Sequence, residues 1–195
     1  MTMRSGRTAG WALAGVAFVA AVGWILNSGV RAADMPMAAP AIKNAIAVVQ
    51  PIGDNKVTGT VLFTMMDDGL HVVADLSGLT PGKHGFHVHE FGDISDLGTP
   101  KAGTLVGGHF DPGMVMKHGL PTSPMHMAGE LGNVTADANG KAHFEGTFKG
   151  LSLVGGADSI AGRSIVVHAS EDDGTGTTGN AGAKIGVGVI GITKG

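Results

Sequence analysis

Residues 56–76, KVTGTVLFTMMDDGLHVVADL, place two apolar, β-branched runs on either side of Asp67-Asp68-Gly69. An aspartate-glycine pair between such runs is a strong hairpin signal, because glycine accepts the left-handed backbone that a tight turn demands. The runs are therefore read as strands, Lys56 to Met66 and Leu70 to Leu76.

The same pattern extends in both directions. Ile42 to Ile52 precedes the hairpin across Gly53-Asp54-Asn55, and Lys83 to Phe91 follows it. A long glycine-rich connection then runs from Gly92 to about Gly129. Strands resume at Leu131 to Ala136, turn at Asp137-Ala138-Asn139-Gly140, and continue through Lys141 to Phe148, Ser164 to Ala169 and Ile185 to Ile192. No segment of this region sustains a 3.6-residue apolar period, so almost no helix is expected. There is no internal repeat of fixed period. Eight short strands with two long loops predict an all-β fold, an eight-stranded antiparallel Greek-key barrel or sandwich. Loops that long in so small a domain usually carry function.

The first 32 residues are of another kind. Arg4 and Arg7 form a positive start, Trp11 to Leu26 is an apolar run, and Val30-Arg31-Ala32 offers compact residues before a cleavage point. That order predicts a secretory signal peptide over 1–32, cut after Ala32 or Ala33, and a periplasmic or extracellular protein. An uncleaved anchor is the alternative, weakened by the many Ala and Gly in the run. Residues 33–41 read as a flexible lead-in to a single domain over 42–195. Losing Arg4, Arg7 and Arg31 takes 13 basic residues to 10 against 16 acidic ones, a formal charge of −6. That balance gives no electrostatic reason to expect nucleic acid, and after cleavage nothing predicts a membrane partner. Cysteine is absent, so an exported chain here does without disulfides.

Nine histidines follow the first 33 residues, and several of them carry the chemistry. In Gly85-Phe86-His87-Val88-His89, alternate residues of a strand share a face, so His87 and His89 can grip one metal ion. His109 in Gly107-Gly108-His109-Phe110-Asp111-Pro112 and His168 in Ile165-Val166-Val167-His168 extend the set. Four imidazoles without thiolate suit a redox-cycling copper.

Together, Gly85–Asp93, Gly107–Pro112, Gly129–Asp137, Gly162–His168 with Asp172-Asp173, and Gly179–Ile192 resemble the copper-zinc superoxide dismutase family, in its order. The resemblance runs from about Ile42 to Ile192. It implies an eight-stranded Greek-key barrel and the conversion of superoxide to dioxygen and hydrogen peroxide. It also implies copper on His87, His89, His109 and His168, with His109 bridging to zinc. His118 matches a zinc ligand, and Asp172 matches the carboxylate that links a copper histidine to a zinc histidine. His84 matches a structural histidine, Thr178 a residue narrowing the channel mouth. His71 and His143 fall outside these motifs and are expected to be bystanders.

Four departures stand out. Where the family has a zinc-binding histidine followed three residues later by aspartate, this chain has Met127 and Glu130, with His126 displaced by one. Glu130 and, with a shifted register, His126 are the candidate zinc ligands, and a copper-only enzyme is the fallback. Lys184 stands where the family has arginine; it keeps the charge that draws in superoxide but not the planar fork. Val187 occupies one disulfide position, and 93–107 contains no partner, so the loop before the bridging histidine has no covalent tether. The loop from Asp172 to Lys184 is short and lacks an acidic-basic series, which predicts weaker steering. A homodimer is compatible with the sequence, and no copper donor is indicated. A different function on the same barrel, periplasmic copper binding or delivery, is raised by Met35-Pro36-Met37, Met114-Val115-Met116 and Met125-His126-Met127, because thioethers favour Cu(I).

Overall fold

A computed structural model describes residues 42–194. The expected signal segment 1–32 and lead-in 33–41 lie outside the described residues. The strands are β1 (Asn44–Pro51), β2 (Thr58–Met66), β3 (Gly69–Ser77), β4 (Gly82–His89), β5 (Glu130–Ala136), β6 (Ala142–Phe148), β7 (Ser164–His168), β8 (Lys184–Val189) and the short β9 (Gly191–Ile192). No helix occurs among the described residues.

Every expected strand is present, and each boundary lies within two residues of its reading apart from one division. The run Ile185 to Ile192 is broken at Ile190 into β8 and β9. Both pieces pair with β1 in one continuous register, Pro51 opposite Gly186 and Ala45 opposite Ile192, so the break is a local interruption of a single line.

All pairings between strands are antiparallel, in the order β2-β3-β6-β5-β4-β7-β8-β1, and β1 pairs back onto β2. That closes an eight-stranded barrel. The adjacent order β3-β6-β5-β4 is a Greek key: β4, β5 and β6 lie side by side in chain order, and β3 packs beside β6 and not beside β4.

The interior follows from alternation. Val61 and Phe63 of β2, Leu70, Val72, Ala74 and Leu76 of β3, and Ala45, Ala47 and Val49 of β1 point inward and are buried. Their neighbours Thr60, Leu62 and Asp75 lie on the other face. β4 and β7 differ, because they are buried on both faces. Phe86 and Val88 of β4, with Ile165 and Val167 of β7, enter the main core. The residues between them, His87, His89 and Val166, face outward beneath the connection between β4 and β5 (90–129). An amphipathic barrel strand would have a wet outer face. Here that face is covered, and it carries the histidines.

A second apolar cluster lies outside the barrel. Ile52, Val106, Val166 and Val187 are buried together, with Ile94, Leu97 and Ala102 packed on them. This cluster holds the 92–107 segment against β7 and β8 at the position where the resemblance would have placed a disulfide. Asp96, also buried, supplies a polar counterpart: its carboxylate accepts hydrogen bonds from the backbone N–H of Gly103 (3.0 Å), Thr104 (2.7 Å) and Leu105 (3.1 Å), and from the Thr104 hydroxyl (3.1 Å).

Candidate metal centre

His87 and His89 leave β4 on its outer face, and His168 leaves the end of β7. Irregular pairing flanks both: a shift in the β4–β5 register between Gly85 and His87, and one in β7–β8 between Val167 and His168. Such bulges re-aim side chains beside sites. His109 arrives from the long loop and is fixed by an isolated antiparallel bridge to His89. One ring nitrogen from each of His87, His89, His109 and His168 lies within 4.8 Å of the others, and all four residues are buried.

The remaining ring nitrogens show which atom of each imidazole is free. His87 Nε2 is 2.7 Å from Asp172 Oδ2, and His118 Nε2 is 2.8 Å from Asp172 Oδ1. A carboxylate only accepts, so both Nε2 atoms carry the hydrogen and both Nδ1 atoms carry lone pairs. His89 Nδ1 faces the Gly107 carbonyl at 3.0 Å, and His168 Nδ1 faces the Gly182 carbonyl at 3.2 Å. Both must therefore donate from Nδ1, which leaves two Nε2 lone pairs facing each other at 3.4 Å. His87 Nδ1 and His109 Nε2 are buried without a partner. Lone pairs crowded together in a dry pocket are costly unless a cation binds them. The four imidazoles therefore fit copper.

Protonation is disfavoured at these rings. Burial is the main cause, lowering His87 to about 4 and His168 to about 3, with the neighbouring imidazoles adding repulsion. His89 is likewise held well below its ordinary value by burial and by His109. Neutral rings are the ligating form. Burial works against ionisation of Asp172, but hydrogen bonds from His87, His118 and the Gly174 N–H outweigh it and hold the carboxyl at about 2.

His109, His118 and Glu130 form a second buried group with their ligand atoms within 4.8 Å. Glu130 is the first residue of β5 and pairs across the sheet with His87, which mounts the two groups on adjacent strands. Its Oε1 lies 3.3 Å from His109 Nδ1 and also contacts His118 Nδ1. Its Oε2 accepts the Gly119 and Met127 N–H at 2.9 and 3.0 Å. Two imidazoles and a carboxylate fit zinc with three protein ligands. His126 is not brought into this group. Its Nδ1 donates to the Met127 carbonyl at 2.9 Å, and it lines a separate surface cavity beside Asp111, Lys149 and Asp158.

Access to the four-histidine group is through a cavity of about 250 Å³ lined by His89, His109, His168, Thr178 and Lys184. Lys184, the first residue of β8, and Thr178 both line that cavity. Burial lowers the Lys184 pKa from its ordinary value, with Asp96 opposing the shift. Gly179, at φ +68°, could not be replaced cheaply, since a Cβ there would overlap Asp172 Oδ1 and His118 Nε2.

Several supporting residues escaped the sequence reading. Asn133 clamps Asp172, accepting its N–H at 2.7 Å and donating to its carbonyl at 2.9 Å. Arg163 donates to the carbonyl oxygens of Ser159 and Glu90 and lies over the Phe110 ring, 3.6 Å from its centroid. It thereby ties the residues that follow His89 and His109. Asn133 and Arg163 both fall inside blocks of the resemblance, Gly129–Asp137 and Gly162–His168, which by themselves assign neither a role. His84 spans the carbonyls of Thr80 and His168 at 2.8 Å each, which steadies the His168 backbone. His71 and His143 lie away from both groups, near Glu145 and Asp75 respectively.

Residues 57–190 match the family model described as copper/zinc superoxide dismutase (SODC). The chain is 40% identical over 162 residues to an extracellular Cu-Zn superoxide dismutase of Brugia pahangi, covering 77% of this chain and 78% of that protein. It is 42% identical over 157 residues to a Cu-Zn superoxide dismutase of Arabidopsis thaliana, covering 76% and 92% respectively. With four lone-pair imidazoles converging outside a closed Greek-key barrel and a match of this extent, the chain belongs to the copper/zinc superoxide dismutase family.

Proposed function

We propose that His87, His89, His109 and His168 hold the copper of a superoxide dismutase, that His109, His118 and Glu130 hold zinc, and that His109 is shared. The observation that carries this reading is the convergence of partnerless imidazole nitrogens in a buried pocket, each ring fixed from its far side. Copper, when bound, supplies the one-electron exchange that takes one superoxide to dioxygen and the next to hydrogen peroxide. The protein's own residues do the rest. Lys184 draws the anion into the channel, and Thr178 narrows its mouth. His109 Nε2, facing the pocket, holds and releases a proton beside the bound anion. Asp172 keeps His87 and His118 in the tautomer that leaves both Nδ1 atoms free.

The segment 1–32 is read as an export leader, supported by Arg4, Arg7, the apolar run 11–26 and the extracellular designation of the Brugia relative. Amino-terminal sequencing of the exported protein should begin at Ala33 or Asp34. For the site, metal analysis of the purified protein should find about one copper per chain. His87→Ala or His168→Ala should remove both copper and superoxide turnover. Full turnover in either variant, measured with a chelator present to silence free copper, would overturn that ligand's assignment.

A further inference from the structure

Four of the ten methionines fall within 114–127. Three of them are open to solvent, Met116 at 87%, Met114 at 80% and Met125 at 51% relative exposure, so they do not serve as core filling. Met114 and Met116 also adopt left-handed backbone, φ 49° and 53°, where glycine would be the unstrained choice. That bend is held by the Asp111 carboxylate, which accepts the N–H of Val115 (3.0 Å) and Met116 (2.7 Å). Side chains kept outward at such positions call for a role other than packing.

The bend sets Met116 beside the metal centre. Met116 and Met127 line one cavity of about 420 Å³ whose wall also contains His109 and His118. His109 keeps a buried ring nitrogen, Nε2, without a hydrogen-bond partner, whereas His118 Nδ1 is in contact with Glu130 Oε1. Glu90, Asp111 and Lys117 complete the charged part of the wall, a net balance that tolerates a monovalent cation. Thioethers are neutral, soft donors that favour Cu(I) over Zn(II), whereas imidazole takes either and carboxylate is a hard donor.

We propose that Met116 and Met127 form a docking site for Cu(I) on the wall of this cavity, from which copper passes to the four-histidine group beyond it. Copper binds and moves as Cu(I), so no electron is exchanged in the transfer. The proposal rests on the copper assignment of His87, His89, His109 and His168 for its destination.

The test uses the full protein, zinc-loaded and copper-free, under anaerobic conditions with Cu(I) supplied from a bicinchoninate buffer. Met116→Leu/Met127→Leu preserves side-chain volume and should fold normally. It should slow copper loading by about tenfold, the scale of losing supporting ligands, yet reach the same final copper content and the same activity once loaded. Met66→Leu, an exposed methionine on β2, should load like wild type. One further equivalent of Cu(I) added to the reduced, copper- and zinc-loaded protein should show sulfur scattering in X-ray absorption, and the double variant should lose it. Equal loading rates, or extra Cu(I) bound without sulfur, would overturn the proposal. If sulfur-bound Cu(I) forms but copper never reaches the histidines in wild type, the docking site stands and the copper assignment of the histidines fails.

Discussion

Replacing Val187 by alanine tests whether apolar packing holds the 92–107 segment where this chain lacks a disulfide. Val187 is fully buried among Ile52, Val106 and Val166. The substitution deletes two methyl groups, about 0.8 kcal/mol each in transfer free energy, and the void left behind brings the loss to about 2–3 kcal/mol. That loss should not spread evenly. Val106 is one residue from Gly107, whose carbonyl fixes His89 Nδ1, and its own carbonyl accepts the Phe91 N–H at 3.0 Å. Opening of this segment should therefore become easier before the barrel itself unfolds. Hydrogen exchange at the Phe91 and Glu90 amides should rise roughly 30- to 140-fold, the equivalent of that free energy. Amides of β2 and β3 that exchange by local fraying should change far less. Urea unfolding of the demetallated protein supplies the global value. A loss below about 0.5 kcal/mol together with unchanged exchange at Phe91 would refute the idea that this cluster is the tether.

Other expectations concern charge, zinc and pH. Lys184→Glu should invert the salt dependence of superoxide decay, and Lys184→Ala should flatten it, because attraction across the channel is screened over a Debye length of about 8 Å near physiological salt; identical low-salt rates for Lys184, Ala and Glu would mean that this lysine does not steer. Zinc affinity, read by chelator competition, should drop in Glu130→Ala and His118→Ala by more than the roughly 10- to 100-fold typical of losing a residue that merely supports a ligand, and stay near wild type in His126→Ala, whose ring lies outside the group; a large effect of His126→Ala would reverse that reading. The demetallated protein should lose stability as pH falls. His87 and His168 titrate at about 4 and 3 when folded against about 6.5 when unfolded, so the stability they contribute is complete above 6.5 and is lost as pH falls toward those values. Asp172, depressed to about 2 from 3.8, adds a loss of the same sign only at lower pH. A denaturation midpoint that stays flat between pH 6.5 and 4.5 would contradict this.

The strands were legible because each is bounded by turn chemistry that acts locally: Asp67-Asp68-Gly69, and Asp137 to Gly140, where the Asp137 carboxylate accepts the Asn139 and Lys141 N–H. The four-histidine group was legible for a related reason. The alternation of His87 and His89 on β4 is a property of neighbouring residues, and His109 and His168 sit in distinctive local sequence. Zinc was harder. Whether His126 or Glu130 reaches His118 depends on the path of a long loop, and that path is decided by the Gly119 and Met127 N–H groups converging on Glu130. The roles of Asp96, Asn133, Arg163 and the Val187 cluster were invisible for the same reason. Each makes its decisive contact with residues distant in sequence or inside an irregular loop, where no periodicity records it.

The absence of a crosslink has a kinetic meaning. A segment closed by a covalent bond swings only as far as that bond permits, and freeing it requires a reductant. Residues 92–107 are held instead by the Val187 cluster and the Asp96 carboxylate, so only non-covalent contacts oppose their opening. The backbone that supports His89 and His109 is then governed by temperature and solvent, and is indifferent to thiols. With no cysteine in the sequence, closing this segment waits on no oxidant.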